Sequence, residues 1–290
     1  MVKKILVSQP ASSNILNSPF TILKENYNIE VDFVPFIKTE GVSAKEFRQQ
    51  RVDILVHTSV IFTSMNMVDN FFRICEESRI SIPETMKYFC VTEAIALYLQ
   101  KYIVYRKRKI FFGKTTFVEL MEVIVKHSND LFVLPVSEPH KPEITEMLQE
   151  AKINFTECVM SRTVPQDFKS KVNIDEYDLV LLYSPISVEA LAVNYGEEAR
   201  KIKLAAFGMN TALVALDGGY NLVSIAPTEK APSMVNAVEI YINEYNKKGG
   251  NIDTSYIKPT IDAFMQHTDD MLVKVTTTKV RKSSTSKPRK

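Results

Sequence analysis

Glycine is scarce in this chain, with eight in 290 residues. Neither a GxxxxGK[ST] loop nor a GxGxxG fingerprint is present, so nucleotide binding has no direct support in the sequence. Cysteine is rarer still: Cys75, Cys90 and Cys158 form no CxxC pair and are odd in number. That excludes a disulfide framework and fits a reducing cytoplasm. The four histidines, His57, His127, His140 and His267, have no metal-ligand spacing among themselves or with the cysteines. No GxSxG elbow marks a nucleophilic serine. Apolar runs fall well short of a membrane span, and the opening MVKKILVSQP has too short an apolar core for an export signal. Cys90 sits in an apolar strand and reads as core.

What is present is a normal globular balance, 45% hydrophobic and 24% charged, in a chain long enough for two domains. The net charge of +2 conceals a split. Residues 271–290 carry seven cations and no acid, which leaves 29 basic against 34 acidic residues, or −5, in the body. The tail is basic and the body mildly acidic.

The chain also repeats itself. VIFTSMNMVDNFF (60–72) and VLLYSPISVEAL (180–191) each read as a short buried strand, a turn at a serine and a helix with one apolar face. A second pair follows, KYFCVTEAIAL (87–97) and KLAAFGMNTAL (203–213), and then a third, IFFGKTTFVEL (110–120) and LVSIAPTEKAP (222–232). KKILVSQP (3–10) is similar to LFVLPVSEP (131–139), each with a helix after it. Strands alternating with helices predict two parallel-sheet α/β lobes with helices on both faces. Right-handed crossovers place the turns of each lobe at one sheet edge. The order of units implies that the chain starts one lobe, leaves to build the other and returns. The crossings are expected at the β-rich segments 31–37 and 157–164, a two-stranded ladder that lets a cleft between the lobes open and close. The expected division is 1–35 plus 165–248 for the first, discontinuous lobe, 36–164 for the second, and 249–290 for a disordered basic tail. A short helix is expected within residues 259–264.

Open α/β sheets bind ligands beyond the carboxyl ends of their strands. There the leading amides of each helix are unpaired and attract anions. The turns at those ends are Ser8-Gln9, Ser64-Met65-Asn66, Thr92-Glu93, Lys114-Thr115-Thr116, Ser137, Ser184, Asn210-Thr211 and Thr228. Any one of them alone is a helix cap. Eight around one predicted cleft point to a polyanionic ligand. The segment KYIVYRKRK (101–109) interleaves aromatics with cations, a pattern compatible with nucleic acid. In an acidic body it reads instead as an edge strand protected by charge.

IFTSMNMV (61–68) resembles the (I/V)FTSxNxV turn of uroporphyrinogen-III synthases. YSP (183–185) and AAFGMNTA (205–212) are similar to the family's second-lobe FSP and AAIGxxTA segments. The resemblance covers about residues 1–245. It implies two HemD-like (Rossmann- or flavodoxin-like) parallel-sheet lobes joined by a two-stranded β ladder. It also implies cyclisation of hydroxymethylbilane, a linear tetrapyrrole with eight carboxylates, to uroporphyrinogen III with loss of water and inversion of ring D. No metal or cofactor is expected, and the partner is the small-molecule substrate, with no membrane, no nucleic acid and a monomeric cytoplasmic protein. Ser64, Thr92, Thr115, Ser137, Ser184 and Thr211 are the expected carboxylate binders, with Gln9, Asn66, Lys114, Lys141 and Asn210 as secondary candidates. Two positions depart from the family pattern. Glu93 stands where the first lobe usually has Thr, and Ser161, in VMSRT (159–163), stands where a ladder Tyr is the suggested acid. Those two departures support an alternative, a catalytically weakened or inactive tetrapyrrole-binding or regulatory relative. A binder of another small polyanion is the third reading.

Overall fold

The computed structural model describes residues 1–11, 18–140 and 142–266, and the chain divides into two compact units. Unit 1 comprises Met1–Lys38 and the described residues from Pro165 onward, and unit 2 comprises Thr39–Val164. The chain opens unit 1 with β1 (Lys4–Val7), α1 (Thr21–Tyr27) and β2 (Glu30–Phe33). It then runs through β3 (Ile37–Gly41), α2 (Ala44–Gln49), β4 (Ser59–Phe62), α3 (Met65–Glu77), β5 (Lys87–Cys90), α4 (Glu93–Tyr98) and β6 (Ile110–Phe112). Unit 2 is completed by α5 (Phe117–Ile124), β7 (Phe132–Glu138), α6 (Glu143–Glu150) and β8 (Phe155–Pro165). Back in unit 1 come β9 (Leu179–Leu182), α7 (Pro185–Tyr195), β10 (Lys203–Phe207), α8 (Met209–Asp217), β11 (Asn221–Ala226) and α9 (Met234–Lys247). A last helix, α10, spans 257–266.

The sheet of unit 1 has the order β11-β10-β9-β1-β2, and its pairs are parallel. Its central strands carry apolar side chains on both faces, as strands covered on both sides by helices must. Ile5, Val7, Leu179 and Leu181 pack on one face with Leu23 of α1 and Val238 of α9. Leu6, Val180 and Leu182 pack on the other with Leu191 of α7 and Ala212 of α8. The sheet of unit 2 has the order β3-β8-β7-β4-β5-β6. Val60 and Phe62 of β4 meet Val68, Phe71 and Ile74 of α3 on one face, while Ile61 and Phe132 meet Leu120 of α5 and Leu148 of α6 on the other. The two mainly parallel α/β sheets agree with the expected fold class.

Three expectations need correction. The stretch 31–37 is not one crossing strand. Residues 30–33 form β2, paired in parallel with β1, and the strand that pairs with β8 is β3, starting at Ile37. Pro35 lacks the N–H a ladder needs, and Phe36 next to it is fully buried, stacked on Phe168 at 4.0 Å between ring centroids. The neighbouring bonds from Val42 N–H to Met160 O and from Gln166 N–H to Phe36 O show β3 and β8 to be antiparallel. Second, folded structure continues past residue 249, because Ile257 and Ile261, one turn apart, are buried in the unit 1 core. Residues 267–290, including His267 and the basic run, lie outside the described residues. Third, 101–109 is not an edge strand. It is two 3₁₀ turns, 99–101 and 107–109, joined by irregular chain. Lys101 is drawn to Asp69, which Tyr98 and Tyr102 also bond, and this holds the segment against α3.

Candidate functional site

In each parallel sheet the carboxyl ends of the strands share an edge, and there the polar turns take up distinct roles. Ser64 is the N-cap of α3, its hydroxyl accepting from Met67 N–H at 3.3 Å. Thr92 caps α4 through Ile95 N–H, at 3.4 Å. Ser184 caps α7 through Ser187 N–H, and Ser187 Oγ in turn accepts from Ser184 N–H, both at 3.2 Å. These three hydroxyls therefore serve their own helices first. Each can still turn its proton outward to an acceptor, because accepting an amide leaves a hydroxyl's O–H free.

Thr115 stands beside a helix start that is already engaged. Thr116 is the N-cap of α5, and the Thr115 and Thr116 amides both donate to the Glu119 carboxylate, at 2.7 and 3.0 Å. A carboxylate of the chain itself already occupies this helix start, and those bonds hold the Glu119 carboxyl below the usual glutamate range. The capping box TTxxE was readable in the sequence as Thr116–Glu119. Lys114 and Thr115 are exposed beside it.

Helix α8 is the reverse case. Its N-cap is Gly208, with φ of +90° and no side-chain cap, so no side chain of the cap residue engages the leading amides. Thr211 is buried in the first turn and Asn210 is exposed beside it. A β-carbon added at Gly208 would lie 3.8 Å from Thr211 Oγ1, so the site has room but the backbone conformation favours glycine. Asn66, in the first turn of α3, is exposed and its side-chain oxygen accepts from Asn70 at 2.6 Å. Gln9 is exposed after β1. Lys141 lies outside the described residues.

Ser137 is not a helix-start residue. It stands in β7, half-buried, paired with Ser161 of β8 just after a register shift between Val136 and Ser137. Ser161 is fully buried, and its hydroxyl has no hydrogen-bond partner among the described residues. Next along, Arg162 lies between two acids, donating to Glu138 at 2.8 Å and to Glu46. Bonds from the Ser43 amide and hydroxyl, with help from Arg162, pull the Glu46 carboxyl down to about 2.

At the matching edge of unit 1, Ser8, from the first of the expected turns, is joined by a group that escaped the sequence reading of the site. Ser8 Oγ is buried at the end of β1 with no partner among the described residues. Tyr183, one residue before the Ser184 cap, packs its ring 5.7 Å from that of Phe207, and burial pushes its phenol up. A tyrosine so placed stays protonated. Its only sequence signal was Tyr in place of Phe before the Ser-Pro pair. Among the described residues no group of three or more His, Cys, Asp or Glu side chains is arranged to hold a metal ion, and no helix is long and apolar enough to cross a membrane.

Fold and turns together define a two-unit, mainly parallel α/β protein whose strand-end edges carry hydroxyls and helix-leading amides. The model of the uroporphyrinogen-III synthase HemD family matches residues 21–236, about three quarters of the chain, and the protein belongs to that family. Among solved structures, the uroporphyrinogen-III synthetase of Helicobacter pylori 26695 is similar at 16% identity, over 83% of this chain and 99% of that one, with a TM-score of 0.42. The Thermus thermophilus uroporphyrinogen III synthase is similar at 16% identity over the same shares, with a TM-score of 0.38. Among curated proteins nothing matches.

Proposed function

We propose that this protein is a uroporphyrinogen-III synthase, a lyase that closes hydroxymethylbilane into uroporphyrinogen III. The observation that carries this reading is the family match across residues 21–236. The chemistry suits a site built of hydroxyls and amides. Departure of the terminal hydroxyl leaves a cation that the pyrrole itself stabilises. Ring D then attacks through its already substituted carbon, the bond to its neighbour migrates, and water is the only other product. The protein's main task is to hold the flexible chain so that this carbon, rather than the free one, meets the cation. Orientation of that kind supplies roughly 7–11 kcal/mol. A donor at the leaving hydroxyl adds about 10²–10⁴-fold.

In this reading the acidic side chains of the substrate are held at the strand-end turns of each unit. In unit 1 these are Ser184, Thr211 and Asn210, with Gln9 beside them, and the α8 start is the most open receptor because its cap residue has no side chain. In unit 2 they are Ser64, Asn66, Thr92 and Ser137. Thr115 and Lys114 contribute only if Glu119 yields its place, since its carboxylate competes for the same amides. Lys141 completes the set as a cation for a carboxylate. The protein acts as a monomer, in the cytoplasm, and needs no cofactor.

The test is an incubation of purified protein with enzymatically generated hydroxymethylbilane, followed by isomer analysis. Uroporphyrinogen III is the expected product. If only the type I isomer forms, at the rate seen without protein, the reading fails and the non-catalytic alternative replaces it.

A further inference from the structure

The run 101–109 is not used by the proposed chemistry, and the structure shows what distinguishes it. Two of its cations are engaged, Lys101 by Asp69 and Arg106 by Glu84. Lys107, Arg108 and Lys109 form a 3₁₀ turn and pair with no acid among the described residues. Three successive unneutralised cations are conspicuous in a body whose net charge is −5. Directly beside them is a groove of about 210 Å³. Its floor is the buried apolar set Met86, Tyr88 and Ile110, with Ile103 above them. Its rim carries Lys109, Val104, which is 78% exposed, and Arg106, whose charge is matched by Glu84 on the same rim.

The groove lies at the amino ends of β5 and β6, where Tyr88 pairs with Ile110. The strand-end turns occupy the opposite edge of the sheet, so the two features are separate. Among the described residues β6 is the outermost strand of its sheet, and one of its backbone edges is paired by no strand. Such an edge is a template for an added strand.

We propose that this groove docks an acidic, aliphatic segment of a partner protein. An extended segment running beside β6 lowers an aliphatic side chain into the groove, and alternate carboxylates meet Lys107, Arg108 and Lys109. The concavity favours this occupant over an anionic lipid surface. A bilayer takes up apolar side chains that project beyond the cations, and here the apolar floor is sunk beneath them. Nucleic acid is disfavoured in turn, because single strands need exposed aromatic faces to stack on and the one aromatic lining the groove, Tyr88, is buried.

The probe is a short fluorescent peptide of alternating Glu and Leu, titrated with the full chain at low ionic strength and read by anisotropy. A Glu/Ser peptide of equal charge is the comparison. We expect the Glu/Leu peptide to bind at least about tenfold more tightly than the Glu/Ser peptide. We also expect the K107E/R108E/K109E protein to lose at least about tenfold, because like charges then face each other. V104D at the exposed rim is expected to weaken binding as well. Unchanged melting and isomer production by the charge-reversed protein establish that it is folded. Equal binding of the two peptides, or no loss on charge reversal, overturns the proposal. So does retention on phosphatidylserine vesicles without peptide binding, which assigns the patch to a membrane surface instead.

Discussion

Replacing Gly208 by Ala tests how the unit 1 edge is built. The residue holds φ +90° and ψ 133°, outside the left-handed helical well and in a region open mainly to glycine. The new methyl group meets only Thr211 Oγ1, at 3.8 Å, so the cost is conformational rather than steric. Backbone strain of that kind amounts to about 1–3 kcal/mol. The absence of any Ala well at the pair φ +90°, ψ 133° argues for the upper half of that range. At roughly 2–4 °C per kcal/mol for a unit of this size, the melting transition of unit 1 falls by about 4–12 °C. Relief of the strain rotates the peptide that opens α8, so the leading amides turn from their present direction. Gly219 supplies the control. Its φ is +71° with nothing within 4 Å of an added methyl, and it lies beyond the far end of α8, before β11. G219A therefore destabilises with no displacement of the α8 start. The assay pairs thermal melting with isomer analysis at a temperature where both variants are fully folded. G208A is expected to raise the KM for hydroxymethylbilane and G219A to leave it unchanged. If both leave it unchanged, the α8 start takes no part in binding. If G208A melts like the wild type, the strain argument is wrong.

Removing the cap hydroxyls by S64A or S184A should cost about 1 kcal/mol each in urea unfolding, from unit 2 and unit 1 respectively. The lost donor should also raise the KM. Glu46 gives a pH effect of definite sign. Its folded carboxyl lies near 2, below its unfolded value, so its contribution is complete above the unfolded pKa and disappears as pH falls toward 2. Acid titration of unit 2 stability should therefore show a decline from about pH 4.5 downward that E46Q flattens, and identical acid limbs for the two proteins would refute it. Cys75, Cys90 and Cys158 are buried free thiols pushed up to about 12 by desolvation. All three should resist an aromatic disulfide reagent at pH 8 in the native protein and react promptly in urea, and one fast native thiol would contradict the burial.

The features legible in the sequence were those set by local periodicity. Short apolar strands such as LVLL at 179–182 lie between helices on both faces, and the duplicated units place each serine or threonine cap where hydroxyl-to-amide bonding demands it. Legibility ended where a distant partner decided the outcome. That 31–37 would divide at Pro35 depends on Phe36 finding Phe168, more than a hundred residues away. That 101–109 would curl into turns depends on Asp69 of α3 gathering Lys101, Tyr98 and Tyr102. Ser161 shows the same limit at the site. By alignment it stood where a proton donor belongs, and a shorter hydroxyl there suggested a weakened catalyst. In the fold it is fully buried in β8, between β3 and β7, so it cannot deliver a proton to a substrate without local opening. Loss of a tyrosine at that position therefore says nothing about activity if the donor stands elsewhere. Tyr183, at the edge of the other sheet and held protonated by its burial, is the phenol whose removal by Y183F should separate these cases. A fall of about tenfold or more in kcat with KM unchanged makes it the donor. An unaltered kcat excludes Tyr183 as the donor and returns the search to the cap hydroxyls of Ser64, Thr92 and Ser184.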